Sequence, residues 1–261
     1  MLTRFQTRYF LGALCAVPFL PAMYWQGKRI YAEMPKLPDA LDTEGRYGEG
    51  QTPLRLLAVG ESSISGVGVE RHCDSIVGGL ANYLARGGQT RVDYRVVAKS
   101  GYDAARVHDE LLPQLPADSP DLILLGLGGN DAFQASTPRR FVRHTRRVLD
   151  RLRALYPHTP IVMLTVPPIY DFIGFTKLLR FFMGGLARLF GDCLEYLTGQ
   201  YEQLHYFNEE LSLRKFQELV GRPSEPVEFF SDGVHPTALT YRIWAEQLGR
   251  YVRRRVLEIP A

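Results

Sequence analysis

Four short runs dominated by apolar residues, each followed within a few positions by glycine, serine or a proline pair, constrain this chain most. They are 54–59 (LRLLAV), 92–98 (VDYRVVA), 122–127 (LILLGL) and 161–166 (IVMLTV). Runs this short and this apolar belong in a sheet covered on both faces. The segments between them have helical spacing, over 76–84, over 104–112, and where Phe141, Val142, Val148, Leu149, Leu152 and Leu155 share one face. A long helical region at 175–200, a weak fifth strand at 205–208 and a closing helix at 237–257 continue the alternation. The expectation is α/β: a parallel sheet between two helical layers, with ligand chemistry at the carboxyl ends of the strands.

The N-terminus reads differently. Arg4 and Arg8 precede an uncharged run of 17 residues from Tyr9 to Trp25, closed by Lys28 and Arg29. That layout predicts a transmembrane signal anchor over 9–26 after a short tail at 1–8, with Tyr24 and Trp25 at the interface. Leu20, two positions before Ala22, makes a poor cleavage site, so an uncleaved anchor is expected over a secreted product. The rest of the chain is then expected outside the cytoplasm. Prolines and glycines in 33–53, without apolar periodicity, predict a tether over 27–53 and one domain over 54–257. The formal charge of +3, from 31 Lys and Arg against 28 Asp and Glu, gives no reason to expect nucleic acid as a partner. Cys15, Cys73 and Cys193 lack CxxC spacing and are odd in number. That argues against a thiolate metal site and leaves room for at most one bridge, Cys73 to Cys193, which is not expected.

Polar residues gather where the runs end. The first runs into Gly60-Glu61-Ser62-Ser63, a serine opening a turn after a strand; Ile64 excludes the nucleophile elbow G-x-S-x-G, and no Gly-Lys-Ser/Thr follows. The second ends near Ser100-Gly101, and the third in Gly126-Leu127-Gly128-Gly129-Asn130-Asp131, where Asp131 excludes G-x-G-x-x-G. Of six histidines, His235 alone has a carboxylate, Asp232, three residues before it across a glycine turn. No H-E-x-x-H is present, so zinc hydrolysis has no support. Each feature alone is commonly a helix cap or an Asx-turn.

Together the blocks GESS, KSGYD, GGND and DGVHP, in this order, resemble those of the SGNH hydrolase superfamily, the GDSL esterases and lipases. The resemblance runs from about Leu54 to Val252 and implies a flavodoxin-like three-layer sandwich. It implies Ser62 as nucleophile, His235 as general base and Asp232 as its orienting carboxylate. An oxyanion hole would form from the Ser62 and Gly101 N–H groups and the Asn130 amide, with no metal or cofactor required. One departure is evident: the family's first block usually reads Gly-Asp-Ser, and Glu61 stands in the aspartate's place.

The stretch after Pro167-Pro168 is rich in aromatics and reads first as helix core against the sheet, with Phe172, Phe181 and Phe182 as the candidates for binding substrate or resting on lipid. The arginines at 139, 140, 143, 146, 147, 151 and 153 read as a solvated helix face, with a face toward anionic lipid as the alternative. The function expected is a membrane-tethered serine esterase acting on lipid or short acyl esters. Alternatives are a cell-envelope glycan deacetylase or an acyltransferase of the same fold, or a binding protein that kept the fold without activity.

Overall fold

The computed structural model describes residues 2–51, 53–86, 90–209 and 212–258; Met1 of the expected tail and Thr52 of the expected tether lie outside them. One sheet holds strands β1 (Glu44–Tyr47), β2 (Pro53–Gly60), β3 (Arg91–Ala98), β4 (Leu122–Gly126), β5 (Ile161–Leu164) and β6 (Leu204–Phe207), in the order β1-β3-β2-β4-β5-β6. Every residue of β4 and of β5 is buried, as are the last five of β2. These strands sit between two layers and need apolar side chains on both faces.

The helices are α1 (Leu2–Ala16), α2 (Leu20–Glu33), α3 (Ile76–Ala85), α4 (Ala104–Arg106), α5 (Gly129–Phe133), α6 (Pro138–Leu155), α7 (Lys177–Thr198), α8 (Leu213–Val220) and α9 (Ala238–Arg255). Helices α3 and α9 pack together in one layer; α6 and α7 pack together in the other, with α1 laid across both. Phe141 of α6 stacks on Phe190 of α7 at 4.3 Å between ring centres, and the fully buried Tyr241 of α9 donates its hydroxyl to the Val67 carbonyl at 2.8 Å.

The strands from β2 to β6 are parallel and reproduce the expected sandwich, but the sheet is mixed. Strand β1 pairs antiparallel with β3, Glu44 opposite Arg95 and Tyr47 opposite Val92. The expected tether over 27–53 therefore needs correction: part of it is an edge strand. Its four residues alternate exposed and half-buried and carry no apolar run, so periodicity gives no sign of them. The segment before it is also bound to the domain. Ala40 N–H donates to the Ser65 carbonyl at 2.9 Å and His72 N–H to Asp42 Oδ1 at 2.7 Å.

The N-terminal expectation also changes. Among the described residues no helix is long and apolar enough to cross a membrane. The run 9–26 is divided between α1, a tight turn at Val17–Phe19 and α2. Pro18 lies in that turn and Pro21 in the first turn of α2, where a missing N–H is tolerated. The expected helix 104–112 is α4 alone, continued by a wider turn at Val107–Leu111 and a tighter one at Leu112–Gln114.

Candidate active site

The parallel strands reverse their direction of winding between β2 and β4, where a crevice opens at their carboxyl ends. Two glycines close the gap between the strands there. Gly60 pairs with Gly126 in register, and a Cβ at Gly60 would meet the Gly126 carbonyl at 2.2 Å. Ser62 follows β2, Gly101 follows β3 and Asn130 opens α5 after β4, so three of the expected residues rim this crevice. Gly101 has φ +81°, a left-handed conformation that favours glycine.

Asp232 and His235 arrive from the other side, on the loop before α9. The loop is pinned by Ser231 N–H to the His235 carbonyl (2.8 Å) and by the bridge between Phe230 and Pro236. Thr237 then caps α9, its side chain accepting from Thr240 N–H. Asp232 Oδ1 accepts the N–H groups of Val234 (2.9 Å) and His235 (2.7 Å), and Oδ2 meets His235 Nδ1 at 2.7 Å. Burial works against the charge on Asp232, whose side chain is fully covered. The ring and backbone N–H donors outweigh it and hold the carboxyl below its ordinary range. A carboxylate on Nδ1 leaves Nε2 of the neutral ring as the acceptor of a proton.

Ser62 and His235 line one pocket. No hydrogen bond joins their side chains; such catalytic contacts often tighten only when substrate is bound. The backbone N–H groups of Ser62 and Gly101 have no acceptor among the described residues. They are the donors left over at the crevice.

The Asn130 amide is not left over. Its Nδ2 donates to Glu61 Oε2 at 2.7 Å and to the Tyr102 carbonyl at 3.1 Å, which engages both amide hydrogens. Glu61 also accepts Gly129 N–H at 2.6 Å and Asn130 N–H at 2.9 Å. Its carboxylate, 2% exposed, thus holds the whole glycine turn against the end of β2. Gly129 is bare because a Cβ there would lie 2.9 Å from Glu61 Oε1. Burial pushes the Glu61 carboxyl up to about 7; the Asn130 and Gly129 N–H donors oppose the rise and nearby Asp131 adds to it. Burial likewise lifts Asp131 to about 6, although Ala104 N–H donates to it at 2.9 Å.

Of the aromatic residues expected to bind substrate, the pocket takes Phe172 only. Phe181 is exposed and Phe182 packs against Phe19 of the N-terminal segment, so neither lines it. Their place is taken by Phe133, Phe216, Phe230 and Trp244, which come from three helices and a loop. No sequence spacing unites them. Two more residues escaped the sequence reading. Asp39, in the segment read as tether, accepts Ser65 Oγ–H (2.8 Å) and Ser100 N–H (3.2 Å) on Oδ1, and meets Lys99 Nζ on Oδ2 at 2.6 Å. It clips the Ser62 turn to the Gly101 turn. Trp244 is buried, and its indole N–H has no partner among the described residues. All three cysteines are free, with Cys193 buried, and among the described residues no group of side chains could hold a metal ion.

Residues 58–243 match the GDSL-like Lipase/Acylhydrolase family. No curated protein matches the sequence significantly. Solved structures share the fold. A GDSL-like lipase of Bacteroides ovatus is 18% identical with a TM-score of 0.55, over 79% of this chain and 54% of that one, so this chain spans about half its length. The family 3 carbohydrate esterase of Clostridium thermocellum is 14% identical with a TM-score of 0.59, over 80% of this chain and all of that one. The extracellular lipase of Streptomyces rimosus is 19% identical with a TM-score of 0.54, over 75% and 98%. With most of its length matched by the family and with this fold, the chain belongs to the GDSL-like lipase/acylhydrolase family of the SGNH hydrolase superfamily.

Proposed function

We propose that the chain is a serine ester hydrolase that cleaves carboxylic esters of lipids or acyl groups. The observation that carries this reading is the Asp232–His235 pair, at 2.7 Å, on the rim of the pocket that Ser62 lines. His235 Nε2 takes the Ser62 hydroxyl proton as Oγ bonds to the ester carbon. Asp232 keeps the ring in the right tautomer and stabilises the imidazolium. Negative charge on the carbonyl oxygen is received by the Ser62 and Gly101 N–H groups. The Asn130 amide joins them by giving up its longer bond, the one to the Tyr102 carbonyl. The C–O bond to the alcohol then breaks, and the alcohol leaves with the proton from His235. Water repeats the sequence on the acyl-enzyme, releasing the acid and restoring Ser62.

The five aromatic rings at the pocket, Phe133, Phe172, Phe216, Phe230 and Trp244, favour an acyl chain over a bare acetyl group. This supports a lipid or medium acyl ester over deacetylation of a glycan. The basic-then-apolar N-terminus supports a chain held at a membrane with its catalytic domain outside the cytoplasm.

Hydrolysis of p-nitrophenyl esters from acetate to palmitate by the full chain, beside Ser62→Ala, tests the reading. Turnover that peaks above acetate and is lost by several orders of magnitude in the variant is expected. Equal rates in the two proteins would remove Ser62 from the reaction.

A further inference from the structure

Residues 9–27 carry no charge, and only Ala16 among them is buried. Phe10 (61%), Leu14 (68%) and Trp25 (66%) stand in the open. Yet the segment is tied down at both ends. Phe5 meets Tyr196 edge-on at 5.9 Å, and Tyr9 donates its hydroxyl to the Ala135 carbonyl at 2.8 Å. Further along, Phe19 packs on Phe182 at 5.8 Å, and the Thr176 hydroxyl donates to Gln26 Oε1 at 2.5 Å. These ties bracket the apolar run and hold α1 and α2 against α7.

The uncovered surface does not stop at the N-terminal helices. Phe182 touches Phe181 at 5.1 Å, and Phe181 is 74% exposed. Toward the site, half-exposed Phe133 lines the pocket and stands 5.9 Å from Phe175, next to Thr176. Exposed apolar side chains therefore extend from α1 toward the pocket mouth, the kind of surface that marks an interaction site. The charge beside it is mostly basic. Arg4, Arg8, Lys28 and Arg29 are the only charged residues before Glu33; Arg8 pairs with Asp192 of α7 and Arg29 with Glu33 at 2.8 Å, while Lys28 lies 5.7 Å over the Trp25 ring and Lys177 and Arg180 add cations from α7. Aromatic rings beside basic side chains suit the headgroup layer of an anionic bilayer.

We propose that α1, the Val17–Phe19 turn and α2 lie flat in the surface of an anionic bilayer beside Phe181, so that the pocket mouth opens against lipid. This rests on the membrane reading above and stands whichever ester is cleaved. Helices of this kind sit about 5–10 Å into the boundary between headgroups and acyl chains.

Cys15 is exposed in the middle of the segment and gives the test. The full chain, with Cys73→Ser, is labelled at Cys15 with a polarity-sensitive fluorophore. It is then mixed with vesicles of phosphatidylcholine alone or with added phosphatidylglycerol, carrying bromine at different depths of the acyl chain. The account expects sedimentation with the anionic vesicles and strongest quenching by shallow bromines. Leu14→Glu and Phe181→Glu should each weaken vesicle binding about tenfold or more, with turnover of a soluble p-nitrophenyl ester unchanged. Quenching strongest at the bilayer centre would mean a spanning helix and would overturn the proposal. So would a chain that ignores vesicles and covers this face by pairing with a second copy in sedimentation. Loss of p-nitrophenyl turnover in the unmutated chain would instead sink the esterase reading and leave the docking result standing.

Discussion

Glu61 reaches one methylene further than the aspartate usual at its position, and that reach brings its carboxylate to both the backbone and the amide of Asn130. Glu61→Asp should withdraw it from Nδ2. Orientation of an oxyanion donor is worth about 10²–10³ in kcat, so kcat should fall by about tenfold or more with KM little changed. In an Asn130→Ala background the same substitution should do almost nothing further. Additive losses in that double-mutant cycle would show that Glu61 does not act through Asn130. The raised carboxyl gives a second expectation, in stability. A folded-state pKa of about 7 against an ordinary 4.5 means that folding takes up a proton. This stabilising contribution is complete below about 4.5 and is lost as pH rises through about 7. His72, held below its ordinary value by burial, tilts the profile the other way, so the comparison that matters is with Glu61→Gln. The melting temperature of the variant should fall less between those two pH values; parallel profiles would contradict the burial argument. GESS and GGND are separately legible in the sequence, but the contact between them is not. They lie 68 residues apart and meet only because β2 and β4 are neighbours in the sheet.

Among elements, the β2, β3 and β4 turns converge because parallel strands end on the same side, and each of these strands was readable as an apolar run. The elements the sequence hides are those whose reason for existing is tertiary. Strand β1 is stabilised by its pairing with β3, and α8 buries Phe216 alone. Helix α5 is only five residues long and begins where Gly128 turns left-handed at φ +116°. A segment read as tether also supplies Asp39, whose carboxylate joins the loops of Ser62 and Gly101. Asp39→Ala should remove a charged acceptor from three donors, the Ser65 hydroxyl, the Ser100 N–H and the Lys99 ammonium, each such bond being worth about 1.5–3 kcal/mol. The expected result is a melting temperature lowered by several degrees and a kcat reduced about tenfold on p-nitrophenyl butyrate. Unchanged kcat with lowered stability would confine Asp39 to holding the fold.

At the scale of the whole molecule, the site belongs to a sheet that brings Ser62 from one edge of a crevice and a loop that brings His235 from the other. The catalytic side chains were legible because each sits in a short local block. The pocket wall was not: Phe133, Phe216, Phe230 and Trp244 are spread over the second half of the chain and share only a place in space. Their bulk should set acyl length. Trp244→Ala should move the preferred p-nitrophenyl ester toward longer chains, and an unchanged preference would remove the pocket from substrate selection. The central claim is that Ser62 is the nucleophile and His235 its base. Its most direct test is the intact mass of the full chain after exposure to a fluorophosphonate, with the modified peptide located by fragmentation. The account predicts one adduct, on Ser62, absent in Ser62→Ala and formed far more slowly in His235→Ala. An adduct on Ser63, or labelling that ignores His235, would contradict it.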